Sequence, residues 1–252
     1  IQQQIGFNDE LVVKDDYFNV WEIGGNPQIQ KILPLDKAGL NVLFMEDISS
    51  FRDKKVRVLN GAHTAMVPVA LQLGCETVGD AFSVPEVEQY IHQMVDQEVL
   101  PVIQGDPDEL KQFANTILER FYNPYLKHYL KDISLNSLSK WETRDYPTVL
   151  DNYSKKGQIA KRSIFSLAAL LVLYSGKHTI NFTPVDTPEY VQFIRESFDE
   201  DDINKWVQDI IHHPSMWSAD LSAVTFLEQD VVKGVKSILQ RGMRDALKGL
   251  IQ

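Results

Sequence analysis

The run IFSLAALLVLY, residues 164–174, is the most apolar stretch of this chain and offers no charged residue to solvent. A helix of that length reaches about 16 Å, roughly half the hydrocarbon thickness of a bilayer, so it is too short to span a membrane. It predicts a helix buried on all sides within protein. Such a helix needs others around it, and the sequence supplies them. Apolar residues recur at helical spacing at Val87, Tyr90, Ile91, Met94 and Val95, and again at Leu221, Val224, Leu227, Val231, Val235 and Leu239. Start signals precede several such stretches. Ser83 with Pro85 and Glu86, Asp106 with Pro107 and Glu109, and Thr187 with Pro188 each combine a capping side chain with proline in the first turn.

The first fifty residues read differently. ELVVKDDYFNVWEI (10–23) is rich in β-formers, GGNP (24–27) is a turn signal, and AGLNVLFMED (38–47) is a second extended candidate. Together they predict a small antiparallel β element. The fold class expected is therefore mainly α, a single helical domain over 51–252 behind a β-containing lead-in over 1–50. No fixed-period repeat or low-complexity linker divides it.

Composition narrows the function. The 252 residues carry 25 Lys+Arg against 35 Asp+Glu, a net charge of -10, which repels phosphate backbones and argues against a nucleic-acid partner. Cys75 is the single cysteine, which excludes an internal disulfide and fits a reducing, cytoplasmic setting. No membrane partner is expected. The opening residues IQQQIGFNDE have neither the basic stretch nor the apolar core of a signal peptide. They also lack an initiator methionine, so the chain reads as a fragment or processed product. Neither G-x-G-x-x-G nor G-x-x-x-x-G-K-[ST] occurs, and no H-E-x-x-H or C-x-x-C pair offers a zinc site. His212 and His213, adjacent in sequence before Pro214, read as solvated turn residues rather than a metal pair.

KKVRVLNGAH, 54–63, raises a sharper question. On a helix over 53–66, Lys55, Leu59, Ala62 and Met66 form one stripe, and Asn60, His63 and Val67 the next. A lysine in register with an apolar face either snorkels or is desolvated, and burial would lower its pKa toward neutrality. A near-neutral amine can carry a proton in catalysis, an adjacent Asn60 can donate to a developing oxyanion, and His63 can orient either. Gly61 would then permit close approach of another backbone, and Pro68 would kink the helix beyond the site. The same spacing also fits an exposed Lys55 and Asn60 with a satisfied core His63. Spacing does not choose between them.

KVRVLNGAHTAMVPVA (55–70) resembles the K-x4-N-x2-H signature of the long-chain mannitol dehydrogenase family, and its uronate-reducing branch more closely. The resemblance continues through LPLDKAGLNVLF (33–44), LERFYNPYLKHYLKDISLNSLSKWETR (118–144) and FSLAALLVLY (165–174). It implies a helical domain like the C-terminal half of 6-phosphogluconate dehydrogenase. It also implies that Lys55 is the general acid/base, that Asn60 polarises the carbonyl oxygen, that His63 assists, and that no metal takes part. The glycine loop of such enzymes lies in a preceding dinucleotide-binding (Rossmann) domain that this chain does not contain. NAD is accordingly expected to be held mainly by that partner domain, and no cofactor-binding residue is assigned here. The reaction implied is reduction of a sugar acid, tagaturonate to altronate, with NADH; fructuronate, mannitol or a non-catalytic helical binding module are the alternatives.

A sugar-acid carboxylate calls for a cation at the end of the pocket. Lys140 and Arg144, one helical turn apart in SKWETR, are the candidates, with Arg120 and His128 behind them. A solvated charge pattern on a helix surface is the competing reading of that stretch. Asn136 and Ser139 are candidates for substrate hydroxyls, and Asn123–Pro124 for a helix start.

Overall fold

The computed structural model describes residues 6, 20–123, 125, 127–178 and 180–252, and divides into two compact units, residues 1–52 and 53–252. The first unit holds β1 (Trp21–Gly24), α1 (Gln28–Ile32) and β2 (Val42–Met45). Most of the extended segment expected over 10–23 lies outside the described residues. β1 and β2 pair in parallel, from Trp21 opposite Val42 to Gly24 opposite Met45, which corrects the antiparallel expectation. The reason lies in GGNP. It does not return the chain as a hairpin. The Asn26 side chain instead accepts the Gln28 N–H at 2.9 Å, Pro27 stands at the cap position, and α1 follows. A helix between two strands brings the second back in the same direction.

The unit boundary falls inside α2 (Ser49–Lys54), beyond which the chain is helical. A π-helical turn over Lys55–Gly61 leads directly into α3 (Ala62–Gln72). Then come α4 (Val78–Phe82), α5 (Pro85–Met94) with a π turn over Val95–Val99, α6 (Pro107–Phe121), α7 (Leu130–Ile133) and α8 (Ser137–Arg144). The remaining helices are α9 (Tyr146–Asp151) with a π turn over Asn152–Lys156, α10 (Lys161–Ser175), α11 (Pro188–Glu196), α12 (Ile203–Ile211), α13 (Leu227–Arg241) and α14 (Met243–Ile251).

The apolar run is the axis of this unit. In α10 every residue from Ser163 to Ser175 is buried, and α3, α5, α11 and α13 pack around it. Contact with α13 is close because of Gly234, where an added Cβ would lie 2.6 Å from the Ala168 Cβ. Polar atoms within the run are satisfied: Ser166 accepts the Trp141 indole N–H at 2.9 Å. Ala160, at the N-cap of α10, has no side chain to offer, and Glu98 serves instead. Its carboxylate accepts the Arg162 and Ser163 backbone N–H groups at 2.8 and 2.9 Å from 3% relative exposure, pairing a helix start with a negative charge. Among the described residues no helix is long and apolar enough to cross a membrane.

The expected caps meet mixed outcomes. Asp106 accepts the Asp108 and Glu109 N–H groups as anticipated. Thr187 takes the cap position before Pro188, without a side-chain bond. Ser83 is not the N-cap of α5: Val84 holds that place, and Ser83 instead ends α4, its hydroxyl donating to the Gly79 carbonyl. A reciprocal capping box does occur between Thr77 and Asp80. Asn123 starts no helix; its side chain accepts the Tyr125 N–H in a turn, and Pro124 lies outside the described residues.

Candidate active site

From Lys55 to Gln72 the chain follows one helical path, but the π turn over Lys55–Gly61 changes its faces. A π turn carries an extra residue, so the three-and-four spacing read from the sequence slips within it. Val58 and Gly61 turn inward and are buried, whereas Lys55 is exposed and Asn60 half-buried. Of the two readings left open for Lys55, a desolvated amine is not what this chain shows: the residue is exposed. α3 then runs on through Pro68, where the Gln72 side chain donates to the Pro68 carbonyl at 2.7 Å and to the Ala169 carbonyl at 2.9 Å.

His63 is fixed. Its Nδ1–H donates to the Leu59 carbonyl at 2.9 Å, leaving Nε2 as an acceptor. The ring packs 4.1 Å from Phe121 and 5.2 Å from His128, centroid to centroid. Burial first, then the nearby His128 and Arg144 charges, holds its pKa down at about 4, against the Leu59 bond. The ring is therefore neutral at cellular pH. A folded pKa below the unfolded 6.5 means the unfolded chain binds the extra proton, so this contribution is complete above pH 6.5 and lost as pH falls toward 4. We expect the His63 ring resonances to titrate near pH 4; a midpoint near 6.5 would place the imidazole in water instead.

Thr64 couples this helix to α8. Its hydroxyl donates to the Asn60 carbonyl at 2.9 Å and accepts from the Arg144 guanidinium at 3.2 Å. The Asn60 amide has no side-chain partner among the described residues. Lys140 and Arg144 are both half-buried, and neither has a carboxylate within ion-pair distance among the described residues. The Lys140 ammonium donates to the Ile133 carbonyl at 2.8 Å. Burial lowers both pKa values, and Arg144 lowers that of Lys140 further, with Asp186 opposing. These two cations are thus not the solvated surface pattern that competed with them in the sequence.

The structure brings Asn60, His63, His128 and Arg144 together, with Lys140 one turn back on α8. Asn136 and Ser139 are exposed at the start of α8, where the Ser139 hydroxyl donates to the Asn136 carbonyl at 3.2 Å. Asn136 itself takes a left-handed conformation, φ 53°, its N–H bonded to the Val185 carbonyl. Arg120 is exposed in the last turn of α6.

Three contributors escaped sequence reasoning. Phe121 and Thr64 look like ordinary core and helix residues in a string of letters. Asp145 follows Arg144 in SKWETRD, and its carboxyl is buried against the π turn. A Cβ on Gly61 would meet Asp145 Oδ1 at 2.9 Å and the Arg144 carbonyl at 3.5 Å, so the close approach expected at this glycine is present. The described residues contain no group of three or more His, Cys, Asp or Glu that could hold a metal ion.

Residues 47–239 match the family model described as the mannitol dehydrogenase C-terminal domain. The chain is 39% identical over 250 residues to an altronate oxidoreductase of Bacillus subtilis (strain 168), covering 98% of this chain and 51% of that protein. To an altronate oxidoreductase of Escherichia coli O9:H4 (strain HS) it is 34% identical over 256 residues, covering 99% of this chain and 53% of the other. It thus spans about half the length of the curated relatives it matches. Among solved structures, the ternary complex of Pseudomonas fluorescens mannitol 2-dehydrogenase with NAD and D-mannitol superposes with a TM-score of 0.75 at 20% identity, covering 85% of this chain and 43% of that one. A substrate-free D-sorbitol dehydrogenase gives 0.72 at 19% identity, covering 98% and 50%. At such identities the structures establish a common fold.

Proposed function

Because the chain belongs to the mannitol dehydrogenase C-terminal domain family, we propose that it is the substrate-binding, proton-transferring half of an NAD-dependent tagaturonate reductase (altronate oxidoreductase). The observation that carries the choice of an acid substrate is the pair Lys140 and Arg144. Two cations taken partly out of water, with no carboxylate paired to either, are stabilised by an arriving anion, and a guanidinium can bind a carboxylate through two parallel bonds. A neutral polyol gives them nothing comparable. The similarity to altronate oxidoreductases points to the same substrate class.

The reaction is tagaturonate + NADH + H⁺ ⇌ altronate + NAD⁺. Bound NAD supplies or removes the hydride. The sequence contains no glycine-rich phosphate loop, so this chain does not fit the dinucleotide's pyrophosphate, and we assign that task to a Rossmann domain outside it. The work of this chain is on the oxygen. Lys55 Nζ as ammonium gives the carbonyl oxygen its proton during reduction, and takes it back as the neutral amine during oxidation. The Asn60 amide donates to the same oxygen as charge gathers there. Neutral His63, its tautomer fixed by Leu59, accepts a substrate hydroxyl at Nε2. Lys55 loses its water when substrate and the cofactor-binding half cover this face.

The test is NADH oxidation by the full-length protein with tagaturonate, fructuronate and fructose side by side. Tagaturonate is expected to give the highest kcat/KM. Preference for fructose would overturn the acid-substrate reading. No turnover with any of the three would leave a helical binding module.

A further inference from the structure

We propose that Asp145 is a positioning residue for this reaction: its carboxyl, wedged against the Gly61 backbone, holds the π turn in the geometry that presents Lys55, Asn60 and His63. The inference rests on the functional reading above for its kinetic consequence, but not for its structural part.

Asp145 is 1% exposed, and neither carboxyl oxygen has a hydrogen-bond partner among the described residues. That is an expensive arrangement, since a buried carboxylate without donors loses its hydration and receives nothing in return. Its surroundings decide the outcome. Burial dominates and pushes the carboxyl well above the ordinary carboxylate range; Glu98, on the π turn after α5, pushes the same way, and Arg144 on α8 opposes. Tyr90 on α5 feels the Asp145 charge in turn. Burial thus favours the protonated form of this carboxyl, and its contact with Gly61 stands on shape.

The place of contact gives it meaning. Gly61 closes the π turn, directly after Asn60 and two residues before His63. Any side chain there would strike Asp145 Oδ1 at 2.9 Å, so glycine and carboxyl are matched in size. The next residue back, Arg144, reaches Thr64 and through its hydroxyl the Asn60 carbonyl. Asp145 thus presses on the turn from behind at Gly61, while Arg144 touches its flank at Thr64. The shift has a second effect, for a carboxyl biased toward its protonated form competes less with a substrate carboxylate for the Arg144 charge.

A double-mutant cycle reads the wedge without any enzyme activity. Gly61→Ala is expected to lower the Tm of this chain, and Asp145→Ala to make room for the added methyl, so the double variant recovers most of the loss. Should Asp145→Ala fold poorly, Asp145→Ser opens the same space. Additive effects in the cycle would overturn the wedge. The kinetic part is read in the full-length protein with tagaturonate. Asp145→Ala is expected to lower kcat by about 10–100-fold with KM nearly unchanged, as for a misplaced reacting group. Asp145→Asn, neutral and of the same shape, is expected to restore kcat to near the parent value. An inactive Asp145→Asn beside a folded protein would show that a charge is required and sink the neutral wedge. Unchanged kcat in Asp145→Ala would remove the positioning role even if the cycle showed coupling.

Discussion

Replacing Lys55 by alanine is expected to lower kcat for tagaturonate reduction in the full-length protein by about 10²–10⁴-fold, the usual worth of a positioned general acid. The fold should not notice. Lys55 is exposed and has no ion pair among the described residues, so its removal costs no packing and opens no cavity. That combination separates the catalytic reading from the structural one. A core lysine stem would lower Tm when truncated, and a merely solvated lysine would change neither quantity. The experiment pairs single-turnover NADH oxidation with thermal unfolding of the same variant. Retained kcat would remove the acid/base assignment. Lost kcat together with a large fall in Tm would mean that the amine supports the π turn rather than the chemistry.

The second large effect is expected at the anion end. Arg144→Met should raise KM for tagaturonate by about 10–100-fold, corresponding to roughly 1.5–3 kcal/mol for a charged hydrogen bond, and leave turnover of fructose little changed. Arg144→Lys should recover only part of this, because an ammonium cannot reproduce the planar two-point contact. Lys140→Met should act in the same direction, with an added loss of stability because its ammonium holds the Ile133 carbonyl at the end of α7. KM for acid and neutral substrates measured on one preparation decides the matter. Equal losses for tagaturonate and fructose would show that Arg144 supports Thr64 and Asn60 rather than recognising a carboxylate.

Much of the helical unit is legible in the letters because it depends on local, periodic signals. The run at 164–174 is the buried α10, Asp106 caps α6, and the spacing at Val87–Met94 is the inner face of α5. Errors fall where a neighbour's position matters. GGNP is a turn signal whether the chain reverses or begins a helix, and only the α1 crossover makes the strands parallel. Ser83 offers an N-cap on paper, yet its side chain caps no helix start, whereas Thr77, which the letters did not single out, meets the Asp80 N–H.

At the candidate site the division is sharper. Residue types and order raised Lys55, Asn60 and His63 as a question, and the family resemblance, by implying an acid substrate, raised Lys140 and Arg144. Which of them touch was decided in three dimensions. The π turn moves Lys55 outward, Phe121 and Leu59 fix His63, and Thr64 joins Asn60 to Arg144. Asp145 carries no periodic signal at all. Its burial beside Gly61 arises because α8, which it directly follows, packs against the π turn and α3, elements far earlier in the chain. Local backbone preference acts between neighbours in sequence and can be read there, whereas desolvation and close approach depend on whichever segments the core brings together.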